Sequence, residues 1–174
     1  MQNAHRLCGY FFFGIILGFT PEQDQVRGAP TLESSHFELL CSEQGIVKYR
    51  LFAEKALHYE NGDRVYPEET RIEFYASNQE VSLTGRANSV HFSAEKNIYK
   101  FMGDVELKSL RDRRQLNTEE LHWNTKTKTL YTDKFIRIET ADELLTGEGL
   151  VARQDLSYYA IGKPQGLVNA KPIK

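Results

Sequence analysis

The segment "LNTEELHWNTKTKTLYTDKFIRIET", Leu116 to Thr140, decides how the chain is read. It holds adjacent carboxylates, Glu119 and Glu120, a histidine, His122, and the chain's only tryptophan, Trp123. Active sites are made from such residues, but their spacing argues for a wall. Leu121 with Trp123, and Ile136 with Ile138, recur at period two, which puts each pair on one face of a strand. Glu119 and Glu120 then point to opposite faces, whereas a glycoside hydrolase needs its carboxylates facing each other about 5–10 Å apart. A helix competes for the first half, because Asn117 followed by Glu120 resembles a capping box. The following "NTKTKTL" is poor helix material, since β-branched Thr loses side-chain freedom there and competes for backbone bonds. The strand is the better reading.

The same alternation extends outward in both directions. "IVKYRLFA" puts Val47, Tyr49 and Leu51 on one face, "TRIEFYA" Ile72 and Phe74, and "EVSLTG" Val81 and Leu83. "NIYKFMGDVELKS" aligns Tyr99, Phe101, Val105 and Leu107. Turn signals divide the runs: Asn61-Gly62-Asp63, Tyr66-Pro67, Ser77-Asn78, Gly103-Asp104 and Gly162-Lys163-Pro164. A weak repeat lies beneath them. "AEKALH" from Ala53, "ANSVHF" from Ala87 and "TEELHW" from Thr118 share a small residue, an apolar one three places on, and a ring two further. "GEGLVA" from Gly147 continues the pattern without the ring. Each unit reads as a strand pair, and stacked pairs make a long antiparallel sheet folded over on itself. In the first unit, either Ala56 and His58 or Leu57 and Tyr59 form the inward pair.

Composition agrees with a single all-β domain. The 174 residues include nine Tyr and ten Phe but only five Pro. With 22 Lys+Arg against 24 Asp+Glu, there is no electrostatic case for nucleic acid. The two cysteines, Cys8 and Cys41, form no CxxC or Cys/His cluster, so neither a zinc site nor a disulfide framework is indicated.

Residues 1–20 carry the apolar run "LCGYFFFGIILGF", Leu7 to Phe19. As a helix it spans about 20 Å, against ~30 Å of bilayer hydrocarbon. Its length suits a signal-peptide core, yet the exit "GFTPEQDQ" lacks a small-x-small cleavage site. A short signal anchor is favoured over a cleaved signal, with an ordinary core strand as the remaining reading. Residues 21–35 are polar with two prolines and read as a tether. The domain is expected over 36–170, with a tail at 171–174.

Other chemistry finds little support. His91 and His122 occupy one repeat slot and His58 lies nearby, a set that could hold a metal if the strands brought the rings together. Each of the first two lies between inward-facing residues, so period two turns it outward toward solvent. No phosphate loop exists, since Gly147 and Gly149 precede no helix pattern. The basic run "RDRR", Arg111 to Arg114, reads as a charged turn, with contact to phosphate head groups as the alternative. Val90, Phe92, Phe101, Val105, Leu107, Leu121, Trp123, Ile136 and Ile138 face inward, either as a packed core or as the wall of a lipid-holding gap.

At these residues a resemblance enters. "LNTEELHWNTKTKTLYTDKFIRIETADELLTGEGLVARQDLSYYAIGKPQG" together with "TGRANSVHFSAEKNIYKFMGDVEL" is similar to the LptC family of lipopolysaccharide export proteins, in its Bacteroidetes-type form. The likeness covers about Ile46 to Val168 and is most specific over Leu116 to Leu150. It implies a twisted open antiparallel β-jellyroll behind a short N-terminal hydrophobic helix, with no cofactor and no catalytic residue. It further implies a single-pass inner-membrane protein with its domain in the periplasm. Lipopolysaccharide would arrive from the ABC exporter formed by LptB, LptF and LptG and leave to the bridge protein LptA. The expected acyl groove comprises Tyr49, Ile72, Phe74, Leu83, Val90, Phe92, Phe101, Val105, Leu107, Leu121, Trp123, Ile136 and Ile138. Docking edges are expected at Val47, Tyr49 and Leu51 toward the exporter, and at Tyr158, Tyr159 and Ile161 toward the bridge. The alternatives are a soluble bridge of the LptA kind and a secreted β-sandwich enzyme, carbohydrate-active or metal-dependent.

Overall fold

Strong β-formers at alternate positions leave little choice of element, and the computed structural model, which describes residues 28–169, contains strands and turns but no helix there. In chain order the strands are β1 (Leu32–Glu43), β2 (Ile46–His58), β3 (Arg64–Tyr66), β4 (Thr70–Tyr75), β5 (Val81–Ala87) and β6 (Ser89–Ser93). They continue as β7 (Ile98–Ser109), β8 (Gln115–Asn124), β9 (Thr129–Glu139), β10 (Glu143–Arg153) and β11 (Tyr159–Asn169). All belong to one sheet and every paired neighbour runs antiparallel. The "TEELHW" segment is strand, within β8.

The long strands each serve two layers. β2 pairs β4 through Tyr49–Ala53 and then β3 through Leu57–His58. β7 pairs β6 through Ile98–Met102 and then β5 through Glu106–Ser109. Between these halves the ladder breaks. Register shifts fall between Met102 and Val105, between Thr118 and His122, and between Glu148 and Leu150. Asp104 and Gly149 adopt positive φ, 47° and 76°, at two of them. Such bulges bend a strand sharply. Lined up across the sheet, they make a crease that folds it into a twisted open jellyroll.

The crease explains the repeat. Ala53, Ala87 and Thr118 are buried just before the break, and Ala56, Val90 and Leu121 just after it. A three-residue step between inward positions violates period two unless an irregularity intervenes. The first position is small in all four units: Ala53, Ala87, Thr118 and Gly147. At Gly147 a Cβ would sit 2.6 Å from Ile161 Cγ2. In the first unit Ala56 is fully buried and the His58 ring packs 5.4 Å from Phe37, which fixes that pair as the inward one.

Two expectations are corrected at the N-terminal end. β1 begins at Leu32, inside the stretch read as tether, and it covers the flank of β2 that was expected to be free. Tyr49 pairs Cys41 on one side and Phe74 on the other, and Leu51 pairs Leu39 and Ile72. Val47 pairs Ser42, and its N–H donates to Gln79 Oε1 at 3.1 Å. The terminal edge is therefore β1. An edge strand is half-exposed, so its alternation is too faint to read before Phe37. The apolar run Leu7 to Phe19 lies outside the described residues. No helix of the described residues is long and apolar enough to cross a membrane.

Candidate functional site

The interior between the layers is the candidate site, and strand register defines its walls. Nearest the strand ends, one rim follows the register Cys41–Tyr49–Phe74–Leu83–Ser109. The facing rim follows His58–Arg64–Phe92–Tyr99–Trp123–Leu130–Ala152. Deeper rows hold Leu51, Ile72 and Leu107 in one layer, and Val90, Phe101 and Leu121 in the other. Of the expected groove residues, Ile72, Phe74, Leu83, Val90, Phe101, Val105, Leu107, Leu121, Trp123, Ile136 and Ile138 are buried in one continuous cluster. Tyr49 and Phe92 are half-buried and pack against it. Each such side chain contributes roughly 1.5–3 kcal/mol when taken from water.

The rims touch through aromatic rings. The indole of Trp123 lies 4.9 Å from Tyr49 and 4.8 Å from Phe74, both near 90°, and stacks on Tyr99 at 5.2 Å. Its Nε1 donates to Gln154 Oε1 at 2.9 Å. The Tyr49 and Tyr99 hydroxyls meet at 3.5 Å. Burial pushes the Tyr49 phenol up to about 12 and raises those of Tyr99 and Tyr66 as well, so all three stay protonated donors at neutral pH. Beside the rings the mouth widens into a cleft of about 340 Å³. Phe74 and Leu83 contribute apolar wall, and Lys48, Arg111 and three serines polar lining. Lys128 Nζ and Glu43 Oε2, 3.6 Å apart, link the turn before β9 to the end of β1.

Several interior residues escaped the sequence reading. Tyr99 shares the alternation that revealed Phe101 but was left off the groove. Tyr66, Leu116, Leu130, Leu150 and Ala152 are buried too, and Phe37 and Leu39 close the wall from β1. Arg64 is the real surprise: a cation on an otherwise uncharged rim.

The outer face holds the residues that first suggested catalysis. Glu120 accepts from Lys100 at 3.2 Å and meets His122 Nε2 at 2.9 Å, while His122 stacks on Tyr131. Burial works to raise the Glu120 carboxyl, but hydrogen bonds from His122 and Lys100 outweigh it and hold it below the usual range. His91 points outward as expected, yet it is not solvent-facing. The turn before β3 folds over it, placing Asp63 Oδ2 3.8 Å away and leaving the residue 8% exposed. His58 lies on the inner face, so the three histidines do not converge. Among the described residues, no three His, Cys, Asp or Glu come together as a metal site.

One creased sheet, apolar between its layers and, among the described residues, ending in an unpaired strand flank on each side, defines an open β-jellyroll built around an interior. The family model described as lipopolysaccharide-assembly, LptC-related, matches residues 17–158, and the chain belongs to that family. The family is one of lipopolysaccharide transport proteins. A comparison with curated proteins finds no match.

Proposed function

We propose that this chain is a non-enzymatic carrier that accepts lipopolysaccharide from the inner-membrane ABC exporter, LptB with LptF and LptG, and passes it to the periplasmic bridge protein LptA. The observation that carries the reading is the continuous apolar interior of a sheet whose end strands, β1 and β11, each keep one flank unpaired among the described residues. Acyl chains gain about 0.8 kcal/mol per buried CH₂. An apolar interior therefore holds them with no reacting group, and the exporter's ATP hydrolysis supplies direction. In the lipid-free state the interior is packed, so chains enter as the rims part. The aromatic contacts between rims stabilise closure by only ~0.5–1.5 kcal/mol each, an amount a few buried methylenes offset. Tyr49, Phe74, Phe92 and Trp123 are the first residues an entering chain meets.

The unpaired flanks dock the partners by strand addition. β1 takes the exporter side, backed by Val47, Tyr49 and Leu51 of β2. β11 takes the bridge side, with Tyr158, Tyr159 and Ile161. The apolar run Leu7 to Phe19 anchors the chain in the inner membrane, with the jellyroll in the periplasm. Photocrosslinkers at Tyr49, Phe92 and Trp123 in growing cells should give lipopolysaccharide adducts, while the outward Phe135 should not. Folded protein without adducts at the inner positions sinks the proposal. Release of the chain by osmotic shock would instead assign it to the soluble bridge role.

A further inference from the structure

Among the described residues, Arg64 has no counter-charge. It shares a register row with Phe92, Tyr99 and Trp123, so it faces the interior at the β3 end of the rim. Its guanidinium lies 4.5 Å over the Phe92 ring, and one Nη donates to the Tyr99 hydroxyl at 3.4 Å. Its Nε is buried without a hydrogen-bond partner. No carboxylate among the described residues lies within ion-pair distance of it, whereas Arg114, which lies 5.1 Å from the Tyr159 ring, has Asp112 at 3.2 Å. Tyr66, two residues on and on the same face, is fully buried with a hydroxyl that also lacks a partner.

A partly desolvated cation among phenol hydroxyls, with no acceptor carboxylate, is a donor set waiting for an anion. Leaving such donors unmatched is costly, most of all for a charged one. Guanidinium is suited to phosphate, because its planar fork donates two parallel hydrogen bonds. We propose that Arg64, with the hydroxyls of Tyr99, Tyr49 and Tyr66, forms a phosphate site at the rim, which receives the head-group phosphate of an amphiphile whose chains lie between the layers. The placement fits that division: the half-exposed rim takes the charge and the apolar rows behind it take the chains. The site rests on the reading of the interior as a lipid compartment, and its test separates the two.

Trp123 is the only tryptophan and stacks on Tyr99, so its fluorescence reports occupancy of this rim without labelling. The full chain in dodecyl maltoside is titrated with lipid A, dephosphorylated lipid A and inorganic phosphate. Lipid A should bind about tenfold or more tightly than its dephosphorylated form, the value of one charge-assisted bond. Arg64→Gln should abolish that preference and leave the dephosphorylated form's affinity unchanged, and Arg64→Lys should restore part of it. Tyr66→Phe, which removes a hydroxyl without a partner, should fold as stably as the parent and weaken lipid A severalfold. Equal affinity for both lipids in the parent, or a parallel loss for both in Arg64→Gln, overturns the phosphate site and leaves the compartment standing. Binding of neither lipid overturns the compartment and the site together. Inorganic phosphate binding as tightly as lipid A assigns the donors to the free ion and overturns the head-group assignment.

Discussion

The indole of Trp123 meets the ring of Phe74 edge-on, 4.8 Å between centroids, although their strands, β8 and β4, are not neighbours in the sheet. The contact joins the two layers of one creased sheet at its mouth. Trp123→Ala should therefore cost more than a local cavity within one layer, about 3–5 kcal/mol in urea unfolding. Trp123→Phe should lose much less. A double-mutant cycle with Phe74→Leu should give a coupling of about 0.5–1.5 kcal/mol. A coupling of zero would mean that the layers do not meet through these rings.

At the crease the vulnerable residue is Gly149, with φ of 76°. A Cβ there would meet nothing nearer than 3.8 Å, so the constraint is conformational rather than steric crowding. Gly149→Ala should cost about 1–2 kcal/mol, the penalty of the left-handed region, and Gly149→Asn less. Gly85 presents the opposite case. Its φ is unremarkable, but a Cβ would lie 2.6 Å from Leu107 Cδ2 and 2.9 Å from Ile72 Cγ2. Gly85→Ala should disturb packing between neighbouring strands, and a compensating Leu107→Val should recover part of the loss. Thermal melts of the four variants separate the two mechanisms.

These glycines also mark what could and could not be read from sequence. Period two was enough to place Ile72, Phe74, Leu121, Trp123, Ile136 and Ile138 inward, because each lies on a strand whose other face is polar. The three-residue step in the repeat was visible but had no meaning until the register shifts showed where the sheet creases. β3 is only three residues long, too short for any period, so nothing marked Arg64, and Tyr66 read as a turn marker. His91 was misread as solvent-facing because its cover comes from Asp63, distant in sequence, and local alternation carries no information about that.

The outer face gives a pH dependence with a definite sign. Glu106 accepts from Lys108 at 2.8 Å, Arg86 at 3.3 Å and Gln115 at 2.9 Å. Burial alone would raise its carboxyl, but the Lys108 hydrogen bond and charge, followed by those of Arg86, bring it below the ordinary value. A carboxylate depressed by folding adds stability above its unfolded pKa, about 4.3, and that stability is lost as pH falls through the folded value. Glu106→Gln should thus be less stable than the parent at pH 7 and converge with it in acid. Parallel curves from pH 7 to 2 would remove Glu106 from the acid response.

Among the described residues the sheet has two free edges, and an unpaired flank is either shielded or used. Tyr158 precedes β11 and is 67% exposed, and Leu40 on β1 is 50% exposed. Phe135 is as exposed as Leu40, at 52%, but sits on β9, which β8 and β10 flank on both sides. If apolar exposure alone drove association, crosslinkers at the three positions would capture partners alike. If strand addition drives it, Tyr158 and Leu40 should each give a discrete protein adduct and Phe135 none. The two edge adducts should also differ in partner, because β1 and β11 present separate flanks of the sheet. A charge added at Tyr158, as in Tyr158→Asp, should weaken the β11 adduct severalfold and leave the β1 adduct unchanged. Loss of both together would mean that the edges act as one surface.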